Sequence, residues 1–509
     1  MRNFGSLVVL VLLGSGCVAA GCGDGDDTRA NVPSRSGNSG SANAGTGGDS
    51  AQQGGATDVG AGSTPTDDTA GAAGTPNHDS SAAGDAGALS NAGSAGSSPD
   101  ADGTPCAGYT LFSTLDAQSA FSETQLIDMD GVVVHRWNIG GFPPKLLPGG
   151  DLIGATGVTP TSYDMVNLMQ VSWSGEARWS FSNWAEVGGA WSARQHHDLQ
   201  REGNPVGYYA PGLNFVTGGS TLVLGLDRRT VPSIRDGEID DDVIYELDGA
   251  GALKQTVWRA ADHIAEFGFD EAALGDIRTR SPGTVLEWLH GNSISLVGPN
   301  HFFDEGHTEF DPQNIVYSSR NANFVVIISR ETGSVVWRIG PDFAGRPEEK
   351  LGQFAGQHNP HLIPRGLPGA GNLLVFDDGG ASGYGGPSDS DRYFRNYSRV
   401  LEFDPVTLDI VWEYGSPTGA NEFLSPILSN AQRLPNGNTL ITIGTLGKVI
   451  EVTPEHEVVW QYEYVPSTPA VAWLYRSNRV PPEWLPAGEN AAHGNYPTWA
   501  SRFERAPSP

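Results

Sequence analysis

Histidines are the residues of this sequence whose type and placement could do chemistry. Three runs hold them: Gln195-His196-His197-Asp198, Trp288-Leu289-His290-Gly291-Asn292-Ser293 and Gly356-Gln357-His358-Asn359. A fourth run, Ser429-Asn430-Ala431-Gln432, stands in the same relation to the segment that follows it, with Ser429 in the place of His358. Imidazole titrates near neutrality and serves as nucleophile, acid or base. The alternative is that each histidine only hydrogen-bonds backbone at the start of a strand. Histidine clusters also bind zinc or copper, but no paired carboxylate or cysteine accompanies these in a familiar ligand spacing, so no metal and no cofactor is expected. Two Ser-Arg pairs, Ser319-Arg320 and Ser398-Arg399, are read as opening the second strand of their units. A guanidinium there could fork onto two sulfate or phosphate oxygens; an ion pair between neighbouring units is the equal alternative. Asp377-Asp378-Gly379-Gly380 reads as a turn.

These runs need elements to bring them together, and the sequence supplies a repeat. From Tyr109 onward, short alternating runs of Val, Ile, Leu and aromatics are bounded by Gly, Pro, Asn and Asp, the pattern of many short strands. Val400–Asp404 leading to Trp412 matches Val449–Thr453 leading to Trp460, Val325–Ile328 leading to Trp337, Val243–Asp248 leading to Trp258 and Leu126–Asp130 leading to Trp137; a looser copy ends at Trp179. Each copy is a strand, a tight turn and a second strand ending in Trp. Upstream of most copies lies a further strand with its own turn, clearest in Leu434-Pro435-Asn436-Gly437-Asn438. Six such units predict an all-β, six-bladed β-propeller, with a β-sandwich as the alternative. Ala260–Ala273 is the best helical candidate. The first unit has no inner strand before it, whereas Ala470–Tyr475 has strand character and no unit of its own. Residues 465–505 are therefore expected to pair with the blade carrying Trp137 and to close the ring. The histidine runs precede inner strands, so the ring would gather them at one mouth of the central channel.

The remaining residues bear on location. Residues 1–22 combine a weakly basic start, the apolar run Leu7–Leu13 and small residues ending at Cys22, which predicts a lipoprotein signal peptide with Cys22 as the lipidated residue and Cys17 as the alternative. Residues 23–105 are nearly all Gly, Ala, Ser, Asp, Thr, Asn and Pro and cannot bury enough apolar surface to offset the entropy of ordering; a disordered linker is expected there. Residues 106–505 are the globular domain. The expected protein is an exported bacterial lipoprotein on the periplasmic or cell-surface side of a membrane, attached through its N-terminal lipid only. The formal charge of −29 argues against nucleic acid as a partner. An anionic substrate would need a local cationic pocket working against the global field.

Tyr109–Phe112 with Leu126–Trp137, then His196-His197-Asp198, Trp288–Ser293, Ser319–Asn323, Gly356-Gln357-His358, Phe376–Gly379 and Ser398-Arg399, in this order, resemble the bacterial arylsulfotransferase family over almost all of 106–475. The resemblance implies a six-bladed periplasmic propeller. It also implies transfer of a sulfuryl group from an aryl sulfate ester to a phenol, without PAPS, through a transient sulfohistidine. On that template His290, His358, His197, Arg399 and Arg320 are the catalytic candidates, and His196, Asn292, Gln357 and Ser429 the substrate-binding ones. The family's nucleophilic histidine lies in a later blade than the Gln-His motif. After His361 this chain has only His456 and His493, and Ser429 occupies the corresponding place. A propeller that binds a ligand or protein without catalysis is therefore the competing expectation.

Overall fold

The computed structural model describes residues 103–489, apart from 116–122, 157–164, 188–189, 205–206, 210–215, 217, 281–284, 385–392, 416–422 and 467–471. The signal segment with Cys17 and Cys22, the linker up to residue 102, Ala470-Val471 and His493 lie outside the described residues.

Six antiparallel sheets of four strands make up the domain, the third with a short fifth strand added in parallel. Their inner strands are Trp473–Val480, Gly140–Leu146, Gln195–Arg201, Gly291–Leu296, His358–Leu362 and Asn430–Arg433. We number the blades 1 to 6 in that order. Elements of consecutive blades touch, and blade 6 returns to blade 1. The ring is a six-bladed β-propeller, and the β-sandwich alternative does not apply. The apolar core lies between neighbouring sheets: Phe376 and Val400 of blade 5, for example, pack in one cluster with Ile441 and Val449 of blade 6. The inner strands themselves are largely polar and buried.

The Trp repeat has a common physical cause. Each Trp stands on an outermost strand, and in four blades its indole N–H donates to a carbonyl in the outer hairpin turn of the next blade. The pairs are Trp258 to Gly333 O (3.1 Å), Trp337 to Pro405 O (3.0 Å), Trp412 to Pro454 O (3.0 Å) and Trp460 to Met129 O (2.8 Å). Trp179 instead donates to Gln170 Oε1 of its own blade (2.8 Å), while its ring lies against Gly251 in the turn of blade 3, where a Cβ would fall 2.5 Å from it. Several turns are set by their first residue: Asp128, Asp248 and Asp404 each accept two backbone N–H groups through Oδ1, the Asx-type local bonding that favours turns.

Ring closure follows the expected route. Trp473–Val480 pairs antiparallel with Tyr109–Leu115, which pairs with Thr124–Ile127 and then Val133–Trp137. The closing strand is fastened to blade 6 by two side-chain amides that act as strand partners. Asn430 Nδ2 donates to Ser477 O (3.0 Å) and its Oδ1 accepts Ser477 N–H (3.2 Å). Gln432 Nε2 donates to Arg479 O (2.9 Å) and its Oε1 accepts Arg479 N–H (2.6 Å).

The helical candidate is corrected in detail. Ala260–Glu266 is 3₁₀, Gly268 takes φ +76°, and the α-helix runs Glu271–Thr279. Asp270 caps it by accepting Ala273 N–H (2.8 Å), so the N-cap fixes the start beyond the glycine. A separate hairpin, Trp184–Val187 with Ala190–Ala193, was not foreseen.

Replacing Gln432 by Leu should leave two buried backbone groups of the closing strand without partners, at roughly 1–3 kcal/mol each. Urea unfolding of Gln432→Leu is expected to show a lower midpoint; an unchanged midpoint would mean the amide does not fasten the ring.

Candidate active site

The last rungs of the inner ladders are Arg201↔Thr221, Leu296↔Ile315, Leu362↔Leu373 and Arg433↔Thr439. Counting four residues back puts His197, Asn292, His358 and Ser429 at one level of blades 3 to 6. The backbone near this level is unusual: His197 (φ 53°), His290 (φ 52°), Asn359 (φ 51°) and Ser429 (φ 81°) are all left-handed. Each such non-glycine residue costs of order 1–3 kcal/mol, and three of the ladders are out of register here. These irregularities turn side chains out of the strand alternation and towards the channel.

Four histidines meet there. His196 Nδ1 and His197 Nδ1 are 2.8 Å apart, and His196 Nε2 is 3.3 Å from Asp242 Oδ1. The rings of His197 and His290 stand edge to face with centroids 4.5 Å apart. His290 Nδ1 reaches Glu287 Oε1 at 2.8 Å. The result is a row of imidazoles with a carboxylate at each end. Asp242 also accepts Gly291 N–H (2.9 Å); a Cβ on Gly291 would fall 2.6 Å from that carboxylate and 2.9 Å from Tyr317 Oη, so glycine is required. His290 and Glu287, with 22% and 40% of their side chains exposed, form the open side of the row.

His358 completes the cluster from blade 5. Its Nδ1 lies 2.9 Å from Gly356 O and 2.8 Å from Asp378 Oδ2. Burial, then the charges of Arg320, Arg476 and His290, hold His358 well below the ordinary imidazole value. Burial also raises the Asp378 carboxyl well above its ordinary range, against the pull of Arg320. His197 is likewise held well below the usual value, by burial and then by His290, His196 and His358. Glu287 goes the other way: burial would raise it, but His290, with His196 and Arg320, brings it to about 2. At neutral pH the row therefore contains neutral His197 and His358 beside an ionised Glu287. With Nδ1–H given to Gly356 O, His358 keeps a lone pair on Nε2, which makes no hydrogen bond among the described residues.

Arg320 lies on the turn after the strand Ile315–Ser319, its N–H donating to His290 O (3.1 Å); it does not open a strand. Arg399 opens the third strand of blade 5 and is not brought to the histidines. Its Nε donates to Asp377 Oδ2 (2.9 Å) and its Nη2 to Leu351 O (2.8 Å) and Gly352 O (3.3 Å), an ion pair within one blade. Asn292 and Gln357 are joined by Asn292 Nδ2 donating to Gln357 O (2.6 Å), and Gln357 Nε2 donates to Ser318, Ser319 and Phe324. Both hold blades 4 and 5 together. Ser429 Oγ is buried between Ser425 Oγ (2.9 Å) and Gly444 N–H (3.0 Å). Among the described residues, no three His, Cys, Asp or Glu side chains are placed to hold a metal ion.

Residues 213–479, a little over half of the chain, match the sequence profile of the arylsulfotransferase (ASST) family. The chain belongs to that family. The matched segment of this arylsulfotransferase-family chain holds Glu287, His290, Arg320, His358, Asp378 and Ser429, and leaves out His196 and His197. No curated protein matches the sequence. Among solved structures, a protein of unknown function from Bacteroides caccae is 10% identical over 74% of this chain and 99% of its own, with a TM-score of 0.41. The β-propeller domain of Cps50 (Swd1) from Myceliophteria thermophila is 8% identical over 71% and 89%, with a TM-score of 0.33. The Dos1 propeller is 8% identical over 72% and 76%, with a TM-score of 0.32.

Sequence reasoning missed Asp378, which the turn reading of Asp377-Asp378 absorbed, and Asp242 and Glu287, which no motif marks. It also missed Arg476. This residue, on the closing strand, crosses to Asp198 Oδ2 (2.9 Å) and Asn292 O (2.7 Å). The one available signal was an arginine in the strand-like C-terminal segment.

His361, near His358 in the same inner strand, offers a test of these buried imidazoles. Its Nδ1 is 2.9 Å from Asn359 O, and burial brings its pKa from 6.5 to about 4. The unfolded chain takes up a proton as pH falls through about 6.5, whereas the folded one waits until about 4, so stability present above 6.5 is lost over that window, by about 3 kcal/mol. Urea unfolding at pH 7 and pH 4.5 should show His361→Gln losing less stability on acidification than the parent; equal losses would contradict the buried neutral state.

Proposed function

We propose that this propeller moves a sulfuryl group from an aryl sulfate ester to a phenolic acceptor at the histidine cluster, with His358 as nucleophile. The observation that carries the reading is the pairing of His358 Nδ1 with Gly356 O and Asp378 (2.9 and 2.8 Å), which orients a neutral ring and leaves Nε2 open. A histidine held through its second nitrogen by an acidic side chain is a recurring arrangement in covalent catalysis. In the first half-reaction Nε2 attacks sulfur, the S–O(aryl) bond breaks, and its electron pair leaves on the phenolate oxygen. That oxygen takes a proton from protonated His290, whose Nδ1 lies 2.8 Å from the ionised Glu287. In the second half-reaction the acceptor phenol returns a proton to the row as its oxygen attacks sulfur, and the N–S pair goes back to His358. Arg320, whose charge acts on His358, Asp378 and Glu287, offsets negative charge building on the sulfuryl oxygens. Ser429 explains why a blade-5 histidine takes this part: blade 6 offers a buried hydroxyl at the corresponding level.

The assay is release of nitrophenol from p-nitrophenyl sulfate with and without a phenol. Acceptor-dependent release is expected, lowered by roughly 100- to 10,000-fold in His358→Ala and by at least about 100-fold in Asp378→Asn, with a sulfo adduct recoverable on the His358 peptide of the parent. Acceptor-independent release would indicate a hydrolase. No release by the parent would leave a binding propeller.

We also propose that the domain works outside the cytoplasm, tethered by lipid on Cys22 through the polar segment 23–105. Cys22→Ser should move the protein from the membrane to the soluble fraction; retention in the membrane fraction would refute the anchor.

A further inference from the structure

Deeper in the channel than the histidine row lies a second set of groups, and the sulfuryl-transfer reading uses none of them. Lys145 and His361 stand one rung from the end of their inner ladders, Lys145↔Ile153 in blade 2 and His361↔Leu374 in blade 5. Blades 2 and 5 are opposite in a ring of six, so these residues approach each other only across the central channel. Lys145 is 7% exposed and His361 2%. Lys145 Nζ makes no hydrogen bond or ion pair among the described residues. His361 commits Nδ1 to Asn359 O and leaves Nε2 without a partner among them.

The charge balance here is uneven. Burial draws Lys145 below the ordinary lysine range; Asp198 is the carboxylate that acts against this, and Arg476 the cation that adds to it. Both Asp198 oxygens are already engaged: Oδ2 accepts Arg476 Nη1 (2.9 Å) and Ile294 N–H (3.1 Å), and Oδ1 accepts Leu199 N–H (2.8 Å). Arg476 already takes up Asp198, so the buried Lys145 amine has no counter-charge of its own among the described residues. Taking an ammonium out of water without a partner is strongly unfavourable. The whole chain carries −29, yet among the described residues no carboxylate bonds to this amine.

We propose that Lys145, across the channel from His361 and beside Arg476, is the centre of an anion-binding subsite that takes a sulfate ion or a carboxylate. The ammonium supplies up to three donors to oxyanion oxygens, and Arg476 adds its field. The charge of Lys145 acts on His361 from across the channel. Lys145 precedes the family-matched segment 213–479, so nothing in that match assigns it a role. The subsite goes beyond sulfuryl transfer, and its binding does not depend on that reading.

Two sources could fill it: a free inorganic anion, or a carboxylate on the aromatic substrate. Both are tested by calorimetry on the full chain carrying His358→Ala, so that turnover plays no part and failure of the transfer mechanism cannot mimic failure of the subsite. Sodium sulfate, titrated at constant ionic strength, is expected to bind saturably, to bind at least about tenfold more weakly after Lys145→Met, and to recover in part with Lys145→Arg. If the substrate is the source, 4-hydroxybenzoate should bind about tenfold more tightly than phenol, and Lys145→Met should erase that preference. Sulfate binding with no preference for 4-hydroxybenzoate assigns the subsite to free anions. Equal affinities of the Lys145→Met protein and its parent for both anions overturn it. Circular dichroism of each variant separates loss of binding from loss of fold, and Lys145→Arg decides the case if Lys145→Met does not fold.

Discussion

The ion pair between Arg476 and Asp198 is the constraint on which the centre of this molecule depends. Arg476 sits on the strand that closes the ring, and from there it reaches a carboxylate of blade 3 and a backbone carbonyl of blade 4. Both partners are almost fully buried. A buried pair gains little over apolar packing, but losing one member strands the other charge at about 3–5 kcal/mol. The pair is tolerable because its hydrogen-bonding capacity is nearly filled: Asp198 also holds Leu199 and Ile294, and Arg476 lies over the Tyr475 ring at 5.0 Å. It therefore couples closure of the ring to the position of His197, one residue from Asp198. The channel cannot be rearranged locally without disturbing the last strand to join.

Burial around that pair decides which groups carry charge. His197 and His358 are pushed towards their neutral forms. Asp378 is raised well above the carboxylate range, and Asp241 is raised to about 7 by burial and then by Asp242. Glu287 escapes this trend because His290 bonds to it directly. A strongly acidic protein thus sets neutral His197 and His358, and an Asp378 whose charge burial disfavours, beside Arg320 and Arg476 in its channel. That is the local reversal of field an anionic ester requires. It comes from desolvation more than from an excess of basic residues, of which the whole chain has 30 against 59 acidic ones.

How much of this could be read in the sequence follows from how far each residue acts. The Trp repeat was legible because each copy does a similar local job against the next blade's turn, and repetition made it visible. Ring closure was legible because one strand was missing at one end and spare at the other. The histidine level was legible because ladder position fixes height in the channel. What failed was anything set by reach across blades. Arg320 and Arg399 both follow serine, yet one lies on a turn after its strand and acts on the histidines, while the other starts a strand opposite Asp377 in the ladder and is consumed by it. Asp377 and Asp378 are adjacent and alike; strand alternation sends them to opposite faces, one to Arg399 and one to His358. Sequence shows the pair but not which member faces the channel.

The division of labour between rim and centre explains why such a site can be strained. The Trp-to-turn bonds, the Asp-set turns and the apolar layers between sheets all lie away from the axis, and they repeat. Stability supplied there is nearly independent of what stands at the start of the inner strands. Left-handed backbone at His197, His290 and Ser429 and the slipped inner ladders of blades 3 to 5 are destabilising, and they stand at the start of the inner strands. A propeller can carry them because no blade bears the cost alone: the irregular residues are spread over several inner strands. Chemistry at the axis then depends on the relative rotation of whole blades, which the closing strand and Arg476 fix.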